Sequence, residues 1–163
     1  TLPKQSVEYV AVDPSLFRPM GAFSSKNMKS INPMVFRRAR LVDFLVNLYS
    51  VRADVPGLNA QLQVAFRMTA DNTPARTKGK VEADGVYDRA KHELVYVKDI
   101  DLSPIEGGEV WHVTFRKEVV DLRGAAIRDE FYTGIIETKT VVSDTIPGGF
   151  VVFDYNFNRS TGK

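Results

Sequence analysis

The sequence of 163 residues contains no cysteine, two histidines and one tryptophan. Without cysteine, the chain has no disulfide, no thiol nucleophile and no zinc site with thiolate ligands. With only His92 and His112 as imidazoles, few metal ligands remain, and we predict neither a metal nor another cofactor. No apolar run approaches the ~18 residues that span a bilayer. The chain begins at Thr1 rather than Met, so we expect it to be a piece of a longer protein.

Hydrophobic residues make up 44% of the chain and charged residues 26%, which is the composition of an ordinary globular domain. A chain of this length buries enough surface to fold without disulfides or a structural metal. We predict one domain over 1–163. The net charge of +2 is too small to indicate nucleic-acid binding. It is unevenly spread, because residues 1–52 carry eight basic against three acidic side chains. Arg37, Arg38 and Arg40 cluster there, which fits a solvated helix face, an anionic lipid surface or an acidic partner.

Hydrophobic periodicity predicts one strand and three helices in the first half of the chain. The run from Ser6 to Asp13 alternates in the manner of a strand, and residues 14–31 are interpreted as a loop. Each helix start combines a capping residue with a proline in the first turn. The predicted helices run from Asn32-Pro33 to near Arg52, from Asp54 through Met68, and from Thr73-Pro74 to Asp84-Gly85.

The period then changes to two, which predicts four antiparallel strands. They run from Leu94 to Leu102, from Glu109 to Val119, from Ile127 to Val142 and from Phe150 to Asn158. Turns separate them at Glu106-Gly107-Gly108, at Leu122-Arg123-Gly124 and at Ile146-Pro147-Gly148-Gly149. In the first strand, Leu94, Tyr96, Lys98, Ile100 and Leu102 are expected on one side, with Val95, Val97, Asp99 and Asp101 on the other. In the second, Trp111, Val113, Phe115 and Val119 form the expected packed face, with His112, Thr114, Arg116 and Glu118 on the wet face. This order of elements predicts an α+β domain with helices on one side of a curved antiparallel sheet.

A search for catalytic groups finds no convincing set. His112 with Asp99, Asp101 or Glu118 has the composition of a proton-transfer pair. Its place opposite Trp111 predicts an exposed strand histidine instead, facing water or a partner.

Metal and phosphate sites are also not expected. Asp84, Asp88 and His92 have the spacing of one helix face, but Gly85 interrupts it and no third ligand is evident. Gly107-Gly108 and Gly148-Gly149 lack the lysine and hydroxyl of a phosphate loop. No nucleophile elbow is present, and the strand aromatics are expected in the core rather than stacked on bases.

Four stretches, in order, resemble one family. They are Val7 to Asp13, Phe44 to Asp54, Trp111 to Phe115, and Ile146 to Tyr155 with its Pro-Gly-Gly turn. They are similar to the bitopic inner-membrane subunit of type IV secretion and conjugation systems, the TrbF-like family of the eighth VirB-series component. Ile146 stands where that family usually has Asn, which removes a side chain that can hydrogen-bond the turn.

The resemblance implies a cystatin-like cone of the kind seen in nuclear transport factor two. It implies a periplasmic domain at the bacterial inner membrane, with a preceding transmembrane helix outside this chain. Its function would be non-enzymatic assembly of the channel through weak self-association and contacts with other channel subunits, without direct nucleic-acid binding. The predicted interaction residues are Leu48, Tyr49 and Arg52 at the end of the first helix, and Pro147, Gly148 and Gly149 in the last turn.

Two other functions stay open. One is a small-molecule-binding protein or an isomerase or dehydratase on the same cone, which needs an enclosed pocket with converging polar groups. It is excluded if Trp111, Phe115, Tyr132 and Phe157 fill the cone. The other is a ring-forming subunit of a phage or surface appendage.

Overall fold

The computed structural model describes residues 8–13, 18–24, 33–70, 73–141 and 150–161. The strands are β1 (Glu8–Asp13), β2 (Arg18–Ser24), β3 (Glu93–Ile105), β4 (Val110–Asp121), β5 (Ala126–Thr140) and β6 (Phe150–Ser160). The helices are α1 (Pro33–Tyr49), α2 (Val55–Arg67), α3 (Thr73–Ala83) and α4 (Val86–Arg89). The chain divides into two compact units, Thr1–Val42 and Asp43–Lys163, with the division inside α1. The single domain expected over 1–163 stays a prediction.

The first unit contains an antiparallel hairpin of β1 and β2 and the beginning of α1. The loop expected over 14–31 is wrong for Arg18–Ser24, which forms β2. This stretch has no alternating pattern and few β-branched residues, so its strand conformation comes from pairing with β1. The pairing shifts register between Ala11 and Val12, where Pro19 enters the ladder and cannot donate a hydrogen bond.

The helices follow their predicted starts closely. Asp54 caps α2 by accepting a hydrogen bond from the Gly57 amide at 2.9 Å. α1 ends at Tyr49 rather than near Arg52, because Val51 pairs with Val95 in an isolated antiparallel bridge. The short α4 was not predicted. It follows Gly85, whose left-handed backbone at φ 65° turns the chain between α3 and α4. Among the described residues, no helix combines the length and apolar character needed to cross a bilayer.

The second unit is built on a four-stranded antiparallel sheet in the order β3-β4-β5-β6. Helices cover one face of it: the Phe44 and Tyr155 rings lie 5.5 Å apart, and Lys80 on α3 donates to the carbonyl of Tyr155 at 2.8 Å. The core residues from both layers are almost fully buried, namely Phe44, Leu45, Leu58, Leu62, Trp111, Val113, Val119, Ile136 and Val152. The predicted α+β class, with helices on one side of a curved antiparallel sheet, is confirmed.

The two faces expected for β3 are wrong beyond Lys98. The β3–β4 register shifts between Lys98 and Asp101, and Asp99 has a positive φ of 52°. This bulge adds one residue to β3, so Val95 and Leu102 are both buried although an undisturbed strand would place them on opposite sides. The alternation of apolar and polar residues in the sequence does not indicate where an extra residue enters the strand.

Candidate functional site

An aromatic cluster fills the concave side of the sheet in the second unit. Phe115 on β4 is at its centre, with the ring of Tyr132 stacked 5.2 Å away and the ring of Phe157 edge-on at 5.3 Å. Tyr49, from the end of α1, stacks on Phe115 at 5.3 Å. Trp111 is fully buried and donates through Nε1 to the Gly108 carbonyl at 3.0 Å. The four side chains expected to fill the cone therefore lie there, together with Tyr49.

One charged side chain lies within this apolar layer. Lys117 alternates with Phe115 and Val119 along β4, so its side chain points to the packed face, and its residue is only 5% exposed. The ammonium lies between two rings, 4.2 Å from the Tyr49 centroid and 4.3 Å from that of Tyr132. Burial, and to a smaller extent the nearby charge of Arg89, lower the pKa of Lys117 from 10.5 to about 8. Burial also raises the pKa of Tyr49 well above its ordinary value and that of Tyr132 to about 12.

A network of ion pairs borders the cluster at one end. Glu130, whose side chain is 4% exposed, accepts hydrogen bonds from Arg128 Nε at 2.6 Å and from the Tyr132 hydroxyl at 3.0 Å. Burial raises the pKa of Glu130, but these hydrogen bonds outweigh burial and hold the pKa below its ordinary value. Arg128 also binds Glu93 at 3.0 Å, and Arg89 lies 3.7 Å from Glu93 and 3.8 Å from Glu130.

A cavity of about 20 Å³ lies where the aromatic cluster meets this network. Its lining comes from α1, the segment after it, α3, α4 and β4, and consists of Leu48, Tyr49, Val51, Val81, Asp84, Val86, Arg89 and Lys117. This volume holds about one water molecule, for which ~10–15 Å³ suffices. Among the described residues, this cavity is too small for an organic substrate.

A larger groove lies among the helices of the second unit. It has a volume of about 380 Å³ and is lined by Asn59, Leu62, Gln63, Phe66, Lys78, Val81, Glu82 and Tyr87. The Tyr87 hydroxyl donates to Asn59 Oδ1 at 2.7 Å, which links α4 to α2 across one end of the groove.

The opposite face of the sheet carries the polar side chains predicted for it. His112 is exposed there, with its Nε2 3.3 Å from the Thr133 hydroxyl, and it does not enter the cone. Arg116 donates hydrogen bonds to Asp99 at 2.6 Å and to Asp129 at 3.2 Å, and the bond that it donates to Asp99 raises the pKa of Arg116. The expectation of an exposed strand histidine is confirmed.

The predicted interaction residues at the end of α1 differ in exposure. Leu48 is 2% exposed, whereas Tyr49 is partly exposed and its ring belongs to the aromatic cluster; their part in self-association stays a prediction. Their side chains point inward because the α1 stripe that covers the sheet includes them. Arg52 is exposed, and its Nε lies 3.2 Å from Asp54 Oδ1. The predicted turn at Pro147, Gly148 and Gly149, with Ile146 before it, lies outside the described residues.

The rejected metal set is spread over α4 and the turns on either side of it. Asp88 lies on α4 and binds Lys91 at 2.9 Å, whereas Asp84 follows α3 and lines the small cavity. Across the described ranges, no group of three histidine or acidic side chains is arranged to hold a metal ion. Gly107 and Gly108 form the expected tight turn, and both have positive φ.

Sequence reasoning missed Lys117, although a signal was present. In the alternation of β4, position 117 falls on the side of Trp111 and Phe115, which places a lysine on the packed face. The position of Arg89 beside Lys117 could not be predicted from the sequence, because α4, which carries Arg89, was not predicted.

Comparisons with known proteins give structural but not sequence matches. No family model and no curated protein matches the sequence. The structure is similar to VirB8 of Agrobacterium tumefaciens at 14% identity, with a TM-score of 0.68, over 82% of this chain and 97% of that one. It is similar to the soluble domain of TrwG, from the type IV secretion machinery of Bartonella grahamii, at 15% identity, with a TM-score of 0.67, over 79% and 96%.

A periplasmic fragment of TraM is also similar, at 13% identity, with a TM-score of 0.54, over 76% of this chain and 96% of that one. The likeness includes nearly the full length of each of the three solved chains. The chain therefore has the fold of the VirB8-like periplasmic domains, an α+β fold like that of nuclear transport factor two.

Proposed function

We propose that this chain is a non-enzymatic assembly scaffold of a type IV secretion or conjugative DNA-transfer channel. The observation that carries the proposal is the fold shared with the solved chains of VirB8 and of the soluble domain of TrwG over nearly their whole length. The order of the sequence motifs, from Phe44 to Asp54 through Trp111 to Phe115, supports the same assignment.

Location and partners are part of this proposal. The domain lies in the periplasm, as the similar TraM fragment does, and a helix preceding Thr1 anchors it in the bacterial inner membrane. Its partners are other subunits of the channel and further copies of itself. The exposed sheet face around His112 and Arg116 offers charged and polar surface for such contacts.

The filled cone weighs against an isomerase or dehydratase. Such an enzyme needs a pocket of several hundred cubic ångströms for its substrate, and the cavity beside Lys117 measures about 20 Å³. Aromatic side chains pack against one another beside it on the same side of the sheet.

Gene deletion tests the proposed function. Deletion is expected to abolish transfer or secretion and to prevent assembly of the channel, and expression of the intact protein in trans should restore both. Normal transfer with normal assembly in the deletion strain would contradict the proposal.

Charge reversal tests the proposed self-association. Arg52→Glu is expected to lower the sedimentation coefficient of the purified chain at a fixed, high concentration, because it puts a negative charge on the proposed contact. Arg123→Glu is the matched control, since Arg123 is also exposed but lies in the turn between β4 and β5. Equal sedimentation of both variants and the parent chain would count against Arg52 as part of the contact.

A further inference from the structure

The end of β6 forms an open edge of the larger sheet. The backbone of Tyr155 shows which groups point away from β5: its amide donates to Asp154 Oδ1 at 2.9 Å, and its carbonyl accepts from Lys80 at 2.8 Å. Outward groups recur at every second residue of an antiparallel strand, and the β5–β6 register is regular from Tyr155 onward. The next outward amides and carbonyls therefore belong to Phe157 and Arg159. Among the described residues, these groups have no hydrogen-bond partner.

The opposite edge of the same sheet, β3, is protected against pairing. Val51 forms a bridge with Val95 on that edge. Farther along β3, the bulge at Asp99 interrupts the register, and Pro104 has no amide to donate. Bulges, prolines and covering segments are the means by which natural sheets block their edges. Residues 157–160 of β6 contain neither a proline nor a shift of register, so this edge is suited to accept a further strand.

The hairpin of the first unit contains a strand that suits this edge. β1 and β2 form a sheet of two strands, which gains stability when a third strand is added. β1 is rich in residues that favour strands, namely Tyr9, Val10 and Val12. β2 contains Pro19, which cannot donate to a neighbouring strand. The outer edge of β1 is therefore the better one for pairing.

The charges of the two strands are complementary. β1 carries no basic residue and has an acidic residue at each end, Glu8 and Asp13. Arg159 is exposed near the end of β6. Because both ends of β1 are acidic, pairing in either direction places a carboxylate on the side of Arg159.

We propose that β1 of one copy of this chain adds as a fifth strand to the β6 edge of a second copy. The outward groups of Phe157 and Arg159 bond the backbone of β1, as in recognition by strand addition. Within one chain, β1 and β6 belong to separate sheets. The contact joins different surfaces of the two copies, so it repeats from copy to copy and gives a row or a ring rather than a closed dimer.

This inference rests on the self-association that is part of the proposed function, and it adds a contact that does not involve Arg52. Gene deletion tests the function in cells, whereas the experiments on strand addition use the purified chain. Either can therefore fail without the other.

Cross-linking between two variants tests the pairing. Because the chain has no cysteine, Val10→Cys on β1 and Asn158→Cys on β6 each carry one thiol. The two variants, one labelled with ¹⁵N, are mixed and treated with a short bis-maleimide, and mass spectrometry identifies the joined chains. The control replaces Asn158→Cys by Lys139→Cys, because Lys139 is also exposed but pairs with Val151 near the start of β6 and lies over the ring of Phe153.

We expect several times more mixed dimer from Val10→Cys with Asn158→Cys than from Val10→Cys with Lys139→Cys. Equal yields would overturn the proposal. A chain that carries both Val10→Cys and Asn158→Cys provides the second readout. Cross-linking only within that chain, with no link between chains, would also overturn the proposal, because β1 would then pair with its own β6.

Proline at the open edge gives an independent test. Arg159→Pro is expected to lower the average mass of the purified chain in sedimentation at high concentration, because it removes an outward amide and a cation. The variant should still fold, since proline is accepted on the outward side of an edge strand. Arg159→Thr is the control that keeps the amide, and it should lose less of the association. Equal masses for Arg159→Pro and the parent chain would contradict the proposal, and the cross-linking test decides even if Arg159→Pro does not fold.

Discussion

At the scale of single residues, Lys117 makes the stability of the protein depend on alkaline pH. The folded chain releases the Lys117 proton near pH 8, whereas the unfolded chain keeps it to about 10.5. Between these values the unfolded state binds more protons, so stability rises with pH and is lost as pH falls toward 8. The charged groups closest to Lys117 are Arg89, Glu130, Asp84 and Arg159.

We therefore predict a pH-dependent difference between the parent chain and Lys117→Met. At a fixed ionic strength, the unfolding free energy of the parent should rise by roughly 3 kcal/mol relative to that of the variant between pH 8 and 10.5. Urea unfolding at a series of pH values measures this. The same comparison with Lys139→Met should give a flat difference, and a flat difference for Lys117→Met would refute the argument.

A second prediction concerns the buried carboxylate of Glu130. Glu130→Gln removes the charge that binds Arg128 and lies near Arg89. Breaking a buried ion pair by removing one partner costs about 3 kcal/mol or more, and urea unfolding should show a loss of this size. Glu118→Gln is the control, because Glu118 binds Lys98 and Arg116 on the solvent side of the sheet. Equal losses in the two variants would mean that burial does not strengthen the network.

At the scale of elements, two glycines have opposite roles. A Cβ at Gly134 on β5 would lie 1.9 Å from the Asn156 carbonyl of β6, so glycine allows the two strands to pair closely there. Gly79 lies inside α3, and nothing is within 4 Å of an added Cβ.

Alanine at these two positions should therefore change stability in opposite directions. Gly79→Ala should stabilise the protein by roughly 0.5–1 kcal/mol through helix propensity. Gly134→Ala should destabilise it, because the backbone of β6 must move. Urea midpoints of the two variants give the comparison, and a neutral Gly134→Ala would show that the β5–β6 ladder adapts at little cost.

At the scale of the whole molecule, the division inside α1 predicts that most of the chain folds by itself. β1 pairs with β2, whereas β3–β6 pair with one another and carry the aromatic cluster. A chain of residues 33–163 keeps all four helices and the larger sheet. It should unfold cooperatively, with Trp111 fluorescence at the short wavelength of a buried indole. Emission at the wavelength of exposed tryptophan would contradict the prediction, with the full chain as the reference.

The sequence alone predicted most of the fold. Asp54 before Pro56 marks a helix start by local capping chemistry, which needs no distant contact. The alternation around Phe115 predicted the packed and exposed faces of β4 for the same reason. β2 was missed because pairing with β1, and not its own residues, gives it strand conformation.

The residues of the candidate site are far apart in the sequence, so their contacts could not be predicted from it. Local rules decided which residues form helices and strands, and hence that His112 faces away from the cone. Only the tertiary structure brought Tyr49, Arg89 and Lys117 around one cavity, with Tyr132 beside Lys117, and only it placed the Asp99 bulge. The physical reason is that capping and periodicity act within a few residues. Burial of a charge, and the space left beside it, depend on how four separate elements pack.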